Sequence, residues 1–424
     1  MRILWLSPTP GLLHEGEGTG GYGGSGWVGA LQHLLMENSP HQHQLGIVYP
    51  DYSQADQQTL RADVSYYPVP VRQKGRLEKL RHYYGGYHSY DRLQYVAEVQ
   101  RIICSFHPDV IHLFGLENPF ATLLGHTDVP ILVHLQGLLG PCSSTFFPSG
   151  VSRHSFWWPP TVREWLWRNG YQFAKRELDA LAQRETELCQ CCQHYMGRTT
   201  FDYQFSRLQS PTSSYHRVNE ALRPSFYAHA GQWQPHADQF VITSTISDTV
   251  YKGLDLILKT AQLLRHTTRL DFEWQVVGLN EDAGLVRFFE RSLSIQSSDV
   301  GVRYMDVMTA EQLVEHSLRA SVYVHPSYID NSPNSVCEAQ ILGLPVIATR
   351  VGGVDSLIEH NVSGLLVPAN APYELAYWIT QLASNPSLSA SLSQQGCATA
   401  NLRHDRASII HDLLSAYVYT LESK

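Results

Sequence analysis

Asp330 and Glu338 stand with seven residues between them, in a stretch rich in hydrogen-bonding side chains: Asn331, Ser332, Asn334 and Ser335. Carboxylates accept charge-assisted hydrogen bonds, and the amides and hydroxyls between them make a loop rich in donors rather than a packing surface. Lys252 lies upstream, followed by Gly253, Leu254 and Asp255. A lysine is a compact charge on a flexible stem, suited to a diphosphate. Near the start, residues 16–27 hold seven glycines in twelve positions. Glycines let backbone N–H groups approach an anion closely. No Gly-Lys-Ser/Thr follows, so this loop is not a P-loop, and the dinucleotide-binding glycine spacing is not met cleanly. In isolation it also reads as a surface loop.

These groups need a frame. Val322–Val324 reads as an apolar strand, the Asp330 loop follows, and a helix begins near Asn334. Leu344–Ala348 is a second strand, closed by Gly352-Gly353. A strand, a helix and a strand make one βαβ unit of a parallel sheet. Both acids then fall at the carboxyl edge of that sheet, where ligands bind in such folds. Lys252 occupies a similar junction. Phe240–Thr243 reads as a strand, and the helix after Lys252 carries Leu254, Ile257, Leu258, Ala261 and Leu264 on one face. Further strands are expected at 2–6, 45–49, 110–114, 131–135, 272–277 and 302–305. Long helices are expected at 164–193, 372–383 and 406–421.

The run Asp330, seven residues, Glu338, then Gly343-Leu344-Pro345-Val346 and Gly352-Gly353 resembles the signature of retaining GT-B glycosyltransferases of family 4 type. The resemblance spans nearly the whole chain and is strongest over 251–368. It implies an α/β chain with two Rossmann-like domains facing a central cleft: 1–228 on the acceptor side, 229–405 on the nucleotide-sugar side, and a helix 406–424 crossing back to the first. It also implies residue roles. Glu338 would hold the ribose, and Asp330 would face the donor sugar and its leaving group. Lys252, Gly23 and Gly24 would contact the diphosphate. Ser244, Ser247, Gly278, Asn334, Ser335 and Val336 would line the rest of the nucleotide-sugar site, and the strand edge at 302–305 would meet the base.

Three departures from the family pattern stand out. The first acid is usually Glu, one methylene longer than Asp330. Relatives place an Arg five or six residues before the Lys, where this chain has Ile246 and Ser247. Many relatives carry a His near the sugar where this chain has Gln136. His134 lies two residues earlier on the same strand face, either beneath the site or as a hydrogen-bonded core residue.

A chain of 424 residues exceeds one core and predicts two domains. A net charge of −8 excludes the basic field that nucleic acid requires. No stretch has the length and apolarity of a membrane span, and the first residues lack the pattern of a signal peptide. Seven cysteines without regular spacing argue against a disulfide framework. Cys189-Gln190-Cys191-Cys192 reads as buried or half-buried thiols rather than a metal site.

Two segments are less generic. Residues 72–81 hold five basic side chains, and residues 156–168 hold four tryptophans. Each reads either as solvated or packed structure, or as capture of an anionic acceptor, a sugar ring or an acidic bilayer. The reading is a retaining hexosyltransferase moving a sugar from a UDP-sugar, or else a GDP-sugar, to a glycan or lipid-linked saccharide. No cofactor and no metal are expected, and the setting is cytoplasmic, with peripheral contact to an anionic membrane. A GT-B-fold sugar-nucleotide epimerase or hydrolase, and an inactive sugar-binding scaffold, are the alternatives.

Overall fold

The structure, a computed structural model, describes residues 1–14, 25–38, 42–53, 56–71, 92–151, 170–235 and 239–423. Gly23, Gly24, the basic run 72–81 and the tryptophans of 156–168 lie outside the described residues. The chain forms two compact units. The first comprises Met1–Gly140, Glu177–Ala221 and His404–Lys424, and the second Pro141–Arg176 and Leu222–Arg403. These divisions stand beside the boundaries expected at 228/229 and 405/406.

From the N-terminus the elements are β1 (Arg2–Leu6), α1 (Ser25–Asn38), β2 (Gln44–Asp51), β3 (Thr59–Arg61), β4 (Val64–Pro70), α2 (Arg92–Phe106), β5 (Val110–Phe114) and β6 (Ile131–His134). Then come α3 (Leu139–Ser144), α4 (Tyr171–Cys189), β7 (His194–Gly197), α5 (Thr200–Gln209) and β8 (Ser214–Arg217). The sheet runs β3-β4-β2-β1-β5-β6-β7-β8 and is parallel except for the β3–β4 pair. β5 is buried along its whole length, as a parallel strand covered on both faces must be. One face packs on α1 through Val28, Leu31, Leu34 and Leu35, and the other on α2 through Val96 and Val99. In α4, Cys189 is buried and burial pushes its thiol up to about 12. Cys192 is also buried, while Cys191 is exposed.

The second unit contains α6 (Pro224–Ala228), β9 (Phe240–Thr245), α7 (Leu254–Thr267), β10 (Phe272–Val277), α8 (Gly284–Leu293), β11 (Val302–Met305) and α9 (Ala310–Leu318). It continues with β12 (Val322–His325), α10 (Asn334–Leu342), β13 (Val346–Thr349), β14 (Leu365–Val367), α11 (Pro372–Ser384) and α12 (Pro386–Arg403). Its sheet is parallel throughout, in the order β11-β10-β9-β12-β13-β14. Both sheets are doubly wound, so the unit pair is α/β and Rossmann-like. In α7 the expected face Leu254, Ile257, Leu258, Ala261 and Leu264 is fully buried. Each leucine or isoleucine among them contributes about 1.5–3 kcal/mol.

The last helix, α13 (Arg406–Glu422), returns to the first unit. Asp405 caps it by accepting from the Ser408 N–H at 2.8 Å. Ile409, Ile410, Leu413 and Tyr417 enter the same core as Trp5 of β1. The Tyr417 hydroxyl accepts from Trp5 Nε1 at 3.0 Å and meets His112 Nδ1 at 2.7 Å.

Candidate active site

The second sheet reverses its winding between β9 and β12, and the loops leaving those two strands flank the switch point. Lys252 comes from one loop and Asp330 from the other. Lys252 ends a 3-10 turn, Val250–Lys252, and the left-handed Gly253 turns the chain into α7. A Cβ at Gly253 would lie 2.1 Å from the Pro326 carbonyl oxygen, so only glycine lets the two loops approach. The Tyr328 N–H donates to the Tyr251 carbonyl at 2.8 Å and ties them directly. The Tyr328 hydroxyl donates to Asp255 at 2.8 Å, and Lys259 reaches the same carboxylate oxygen at 2.8 Å. The aspartate of the Lys-Gly-x-Asp run is therefore an anchor under the site, fully buried.

Lys252 Nζ lies 2.6 Å from Asp330 Oδ2, and His325 Nε2 lies 3.2 Å from the same oxygen. Burial alone would raise the Asp330 carboxyl. The Lys252 charge and His325 outweigh it and hold this group well below the usual carboxylate range. The Asp330 carbonyl accepts from the Gly353 N–H at 3.0 Å, and a Cβ on the left-handed Gly352 would sit 1.9 Å from that oxygen. The Gly-Gly turn thus serves to hold Asp330.

α10 starts at Asn334, with Pro333 as its N-cap residue and no side-chain cap. Its first N–H groups point out of the helix end, where the dipole favours an anion. Asn334 and Ser335 are half-buried there. Val336 differs: its side chain is fully buried and its N–H donates to the Pro333 carbonyl at 3.0 Å. It belongs to the core rather than to a ligand surface. One turn further, Glu338 is gripped by a residue the sequence reading missed. Arg223 donates from Nε to Oε1 and from Nη2 to Oε2, both at 2.8 Å.

The remaining expected contacts divide. Ser244 is fully enclosed. Its hydroxyl donates to the Val324 carbonyl at 2.7 Å and accepts from Trp274 Nε1 at 3.0 Å, coupling three neighbouring strands. It is a sheet tie, against the expectation of a ligand contact. Gly278 closes β10 with φ 98°, and a Cβ there would meet the Ile246 carbonyl at 2.5 Å. Ser247 is half-buried in the loop, and its hydroxyl donates to Thr249 Oγ1 at 3.1 Å. Ile246, at the position of the absent Arg, is buried.

In the first unit, Gln136 follows β6, is half-buried, and donates from Nε2 to the His134 carbonyl at 3.2 Å. His134 is a core residue. Its Nδ1 lies 3.2 Å from His112 Nε2, which continues to Tyr417. Desolvation holds both imidazoles neutral, with His112 lowered to about 3. The loop after Gln136 is held by carboxylates: Glu185 accepts from the Leu139 and Gly140 N–H groups, each at 3.0 Å. Burial raises Glu185 and Glu117 to about 7.

Neither Arg223 nor His325 carries a sequence signal of its own. His325 ends a buried strand, five residues before Asp330, and Arg223 precedes a proline in the segment between the sheets.

Residues 237–385 match the family described as glycosyl transferases group 1. A D-inositol 3-phosphate glycosyltransferase of Pseudarthrobacter chlorophenolicus is 31% identical over 150 residues, 35% of this chain and 36% of that protein. One from Streptomyces bingchenggensis is 34% identical over 116 residues, 27% of this chain and 25% of that protein. The chain thus spans about a third or less of the length of these curated relatives. Among solved structures, sucrose-phosphate synthase from Thermosynechococcus elongatus superposes with a TM-score of 0.70 at 14% identity, covering 100% of both chains. Anabaena HepE in complex with UDP-glucose does so with a TM-score of 0.62 at 16% identity, again over 100% of both. The chain has the GT-B fold of these structures, and its residues 237–385 are similar to the group 1 glycosyl transferases.

Proposed function

We propose that this chain is a retaining hexosyltransferase. It takes a hexose from a nucleotide-sugar, a UDP-sugar in preference to a GDP-sugar, and passes it to a glycan or a lipid-linked saccharide. The observation that carries the reading is the Lys252–Asp330 pair at 2.6 Å, at the switch point of the second sheet. The matched relatives support it: they are D-inositol 3-phosphate glycosyltransferases, and HepE has been solved with UDP and with UDP-glucose. In this proposal the second unit binds the nucleotide-sugar and the first supplies the acceptor's contacts.

The chemistry follows from the residues. Breaking the bond between the sugar carbon and the diphosphate oxygen leaves negative charge on that oxygen. Lys252 and the N-terminal N–H groups of α10 stabilise it. Asp330 stays ionised, so it has no proton to donate and instead orients Lys252 and the sugar hydroxyls. The acceptor hydroxyl forms the new bond to the same carbon, and its proton goes to the leaving phosphate oxygen. Entry and departure on one face retain configuration. Glu338 takes the ribose hydroxyls, and Asn334 and Ser335 the phosphate side. A metal is not needed in this scheme, because Lys252 and the N-terminal N–H groups of α10 meet the charge of the diphosphate.

No described helix is long and apolar enough to cross a membrane. Peripheral work at the cytoplasmic face of a membrane rests on the basic run 72–81 and the tryptophans of 156–168. The test of the whole reading is NMR of the linkage made from a donor of known anomeric form. A retained linkage is expected. An inverted product rejects the mechanism, and turnover of no nucleotide-sugar rejects the enzyme.

A further inference from the structure

Glu338 is not held by its own helix. Its two carboxylate oxygens take the Nε and Nη2 hydrogens of Arg223, 115 residues earlier, each at 2.8 Å. This is the side-on, two-pronged geometry that only a guanidinium provides. The fork is itself fixed. Arg223 Cζ sits 4.7 Å from the centre of the Phe226 ring, which is buried one turn along α6. Pro224 opens that helix and sets its first turn. The Arg223 side chain is 21% exposed and that of Glu338 10%, so the pair is largely shielded from water.

Two consequences follow for a ligand at Glu338. A bare carboxylate near a diphosphate would repel it, and Arg223 cancels that charge. A carboxylate oxygen also has more than one lone pair. Those facing Arg223 are filled, and the others remain for hydroxyls arriving from the opposite edge. The direction in which Glu338 accepts is thus set by Arg223 and not by a free side-chain torsion.

We propose that Arg223 is a positioning residue that gives the nucleotide site its selectivity for a ribose carrying its 2′ and 3′ hydroxyls. It does so by presenting Glu338 in one fixed orientation. The proposal rests on the nucleotide-sugar reading above and deepens it. Arg223 touches Glu338, not the ligand.

The experiment is calorimetric titration of the full chain with UDP and with 2′,3′-dideoxy-UDP. Wild type is expected to prefer UDP by about tenfold or more, the worth of one or two hydrogen bonds to a charged group. Arg223→Ala is expected to narrow the preference to about threefold or less, by weakening UDP while leaving the dideoxy compound nearly unchanged. Arg223→Lys keeps the charge without the fork and should recover only part of the preference. The double variant Arg223→Ala/Glu338→Gln leaves no bare carboxylate and should discriminate no worse than Glu338→Gln alone. That comparison decides the matter where Arg223→Ala does not fold: further loss in the double variant overturns the proposal. It is also overturned if Arg223→Ala keeps the full preference, or if both ligands weaken equally. If wild type binds UDP and either of these holds, this inference fails and the donor reading stands. If wild type binds no nucleoside diphosphate, both fall.

Discussion

Lys252 and Asp330 meet at 2.6 Å across 78 residues of sequence, because the two strands that deliver them are neighbours in the sheet. The contact makes one group's charge the condition of the other's. Lys252→Ala should therefore do more than remove a cation. It should lower turnover by about 10²–10³-fold, the scale of one lost electrostatic contact in a dry site. It should also release Asp330 from its depressed pKa. Carbon-13 NMR of the carboxyl reads the second effect. A carboxyl that still titrates as low in the variant would show that His325 alone sets it.

The sign of that depression has a stability consequence. Asp330 titrates lower in the folded chain than in the unfolded one. Its contribution is present above the unfolded carboxyl range and is lost as pH falls through the folded pKa. Lys252→Ala should flatten the acid limb of the stability curve, measured by urea unfolding between pH 5 and pH 2. An unchanged limb would mean the pair contributes nothing net.

Glu338→Gln should weaken UDP by about 1.5–3 kcal/mol, the difference between a charged and a neutral acceptor for hydroxyls. Gln also cannot receive both prongs of Arg223. Calorimetry with UDP is the measurement, and equal affinity in the folded variant rejects the ribose role.

Glu117 and Glu185 predict the opposite pH trend. Both are raised to about 7 by burial, and Glu117 Oε2 is buried without a hydrogen bond although the residue as a whole is half-buried. A raised carboxyl binds its proton more tightly when folded. The stability it contributes is full below the unfolded pKa and is lost as pH rises through about 7. Glu117→Gln should remove up to about 3 kcal/mol of that decline. Unfolding of wild type and variant at pH 5 and pH 8 tests it. Parallel losses in the two proteins reject it. Glu185 and Arg198 are the charges acting on Glu117, so Glu185→Gln should lower its pKa.

Activity should survive excess EDTA, since Lys252 supplies the charge that a divalent ion would bring. Full dependence on added Mg²⁺ or Mn²⁺ would show that an ion replaces the absent Arg.

The sequence revealed what periodicity and turn residues encode. β1, β5, β10 and β12 are apolar runs with clear ends, and α7 and α13 carry apolar residues at helical spacing. β3 showed nothing, because its three residues are all exposed and only its pairing with β4 makes it a strand. α12 was silent for a different reason. It packs through Ser389, Leu392, Gly396 and Ala400, and a Cβ at Gly396 would lie 2.9 Å from the Ser363 carbonyl. Close approach by small residues leaves little hydrophobic pattern. In the site, motif spacing pointed to Lys252, Asp330 and Glu338. It could not show that Ser244 is turned into the sheet, since a strand-end serine looks alike whichever way it faces. Arg223 was beyond reach for the reason it matters: its partner lies 115 residues away.

The return of α13 to β1 sets an order on synthesis. Trp5 is made 412 residues before Tyr417, yet they share a hydrogen bond in the core of the first unit. Until α13 leaves the ribosome, the face of the first sheet that receives Ile409, Leu413 and Tyr417 stays open. The second unit's long segment, 222–403, is released earlier and needs none of those residues for its own core. A nascent chain stalled before His404 would hold a finished second unit and, in the first, an uncovered apolar sheet face, the kind of surface that chaperones bind and proteases find first.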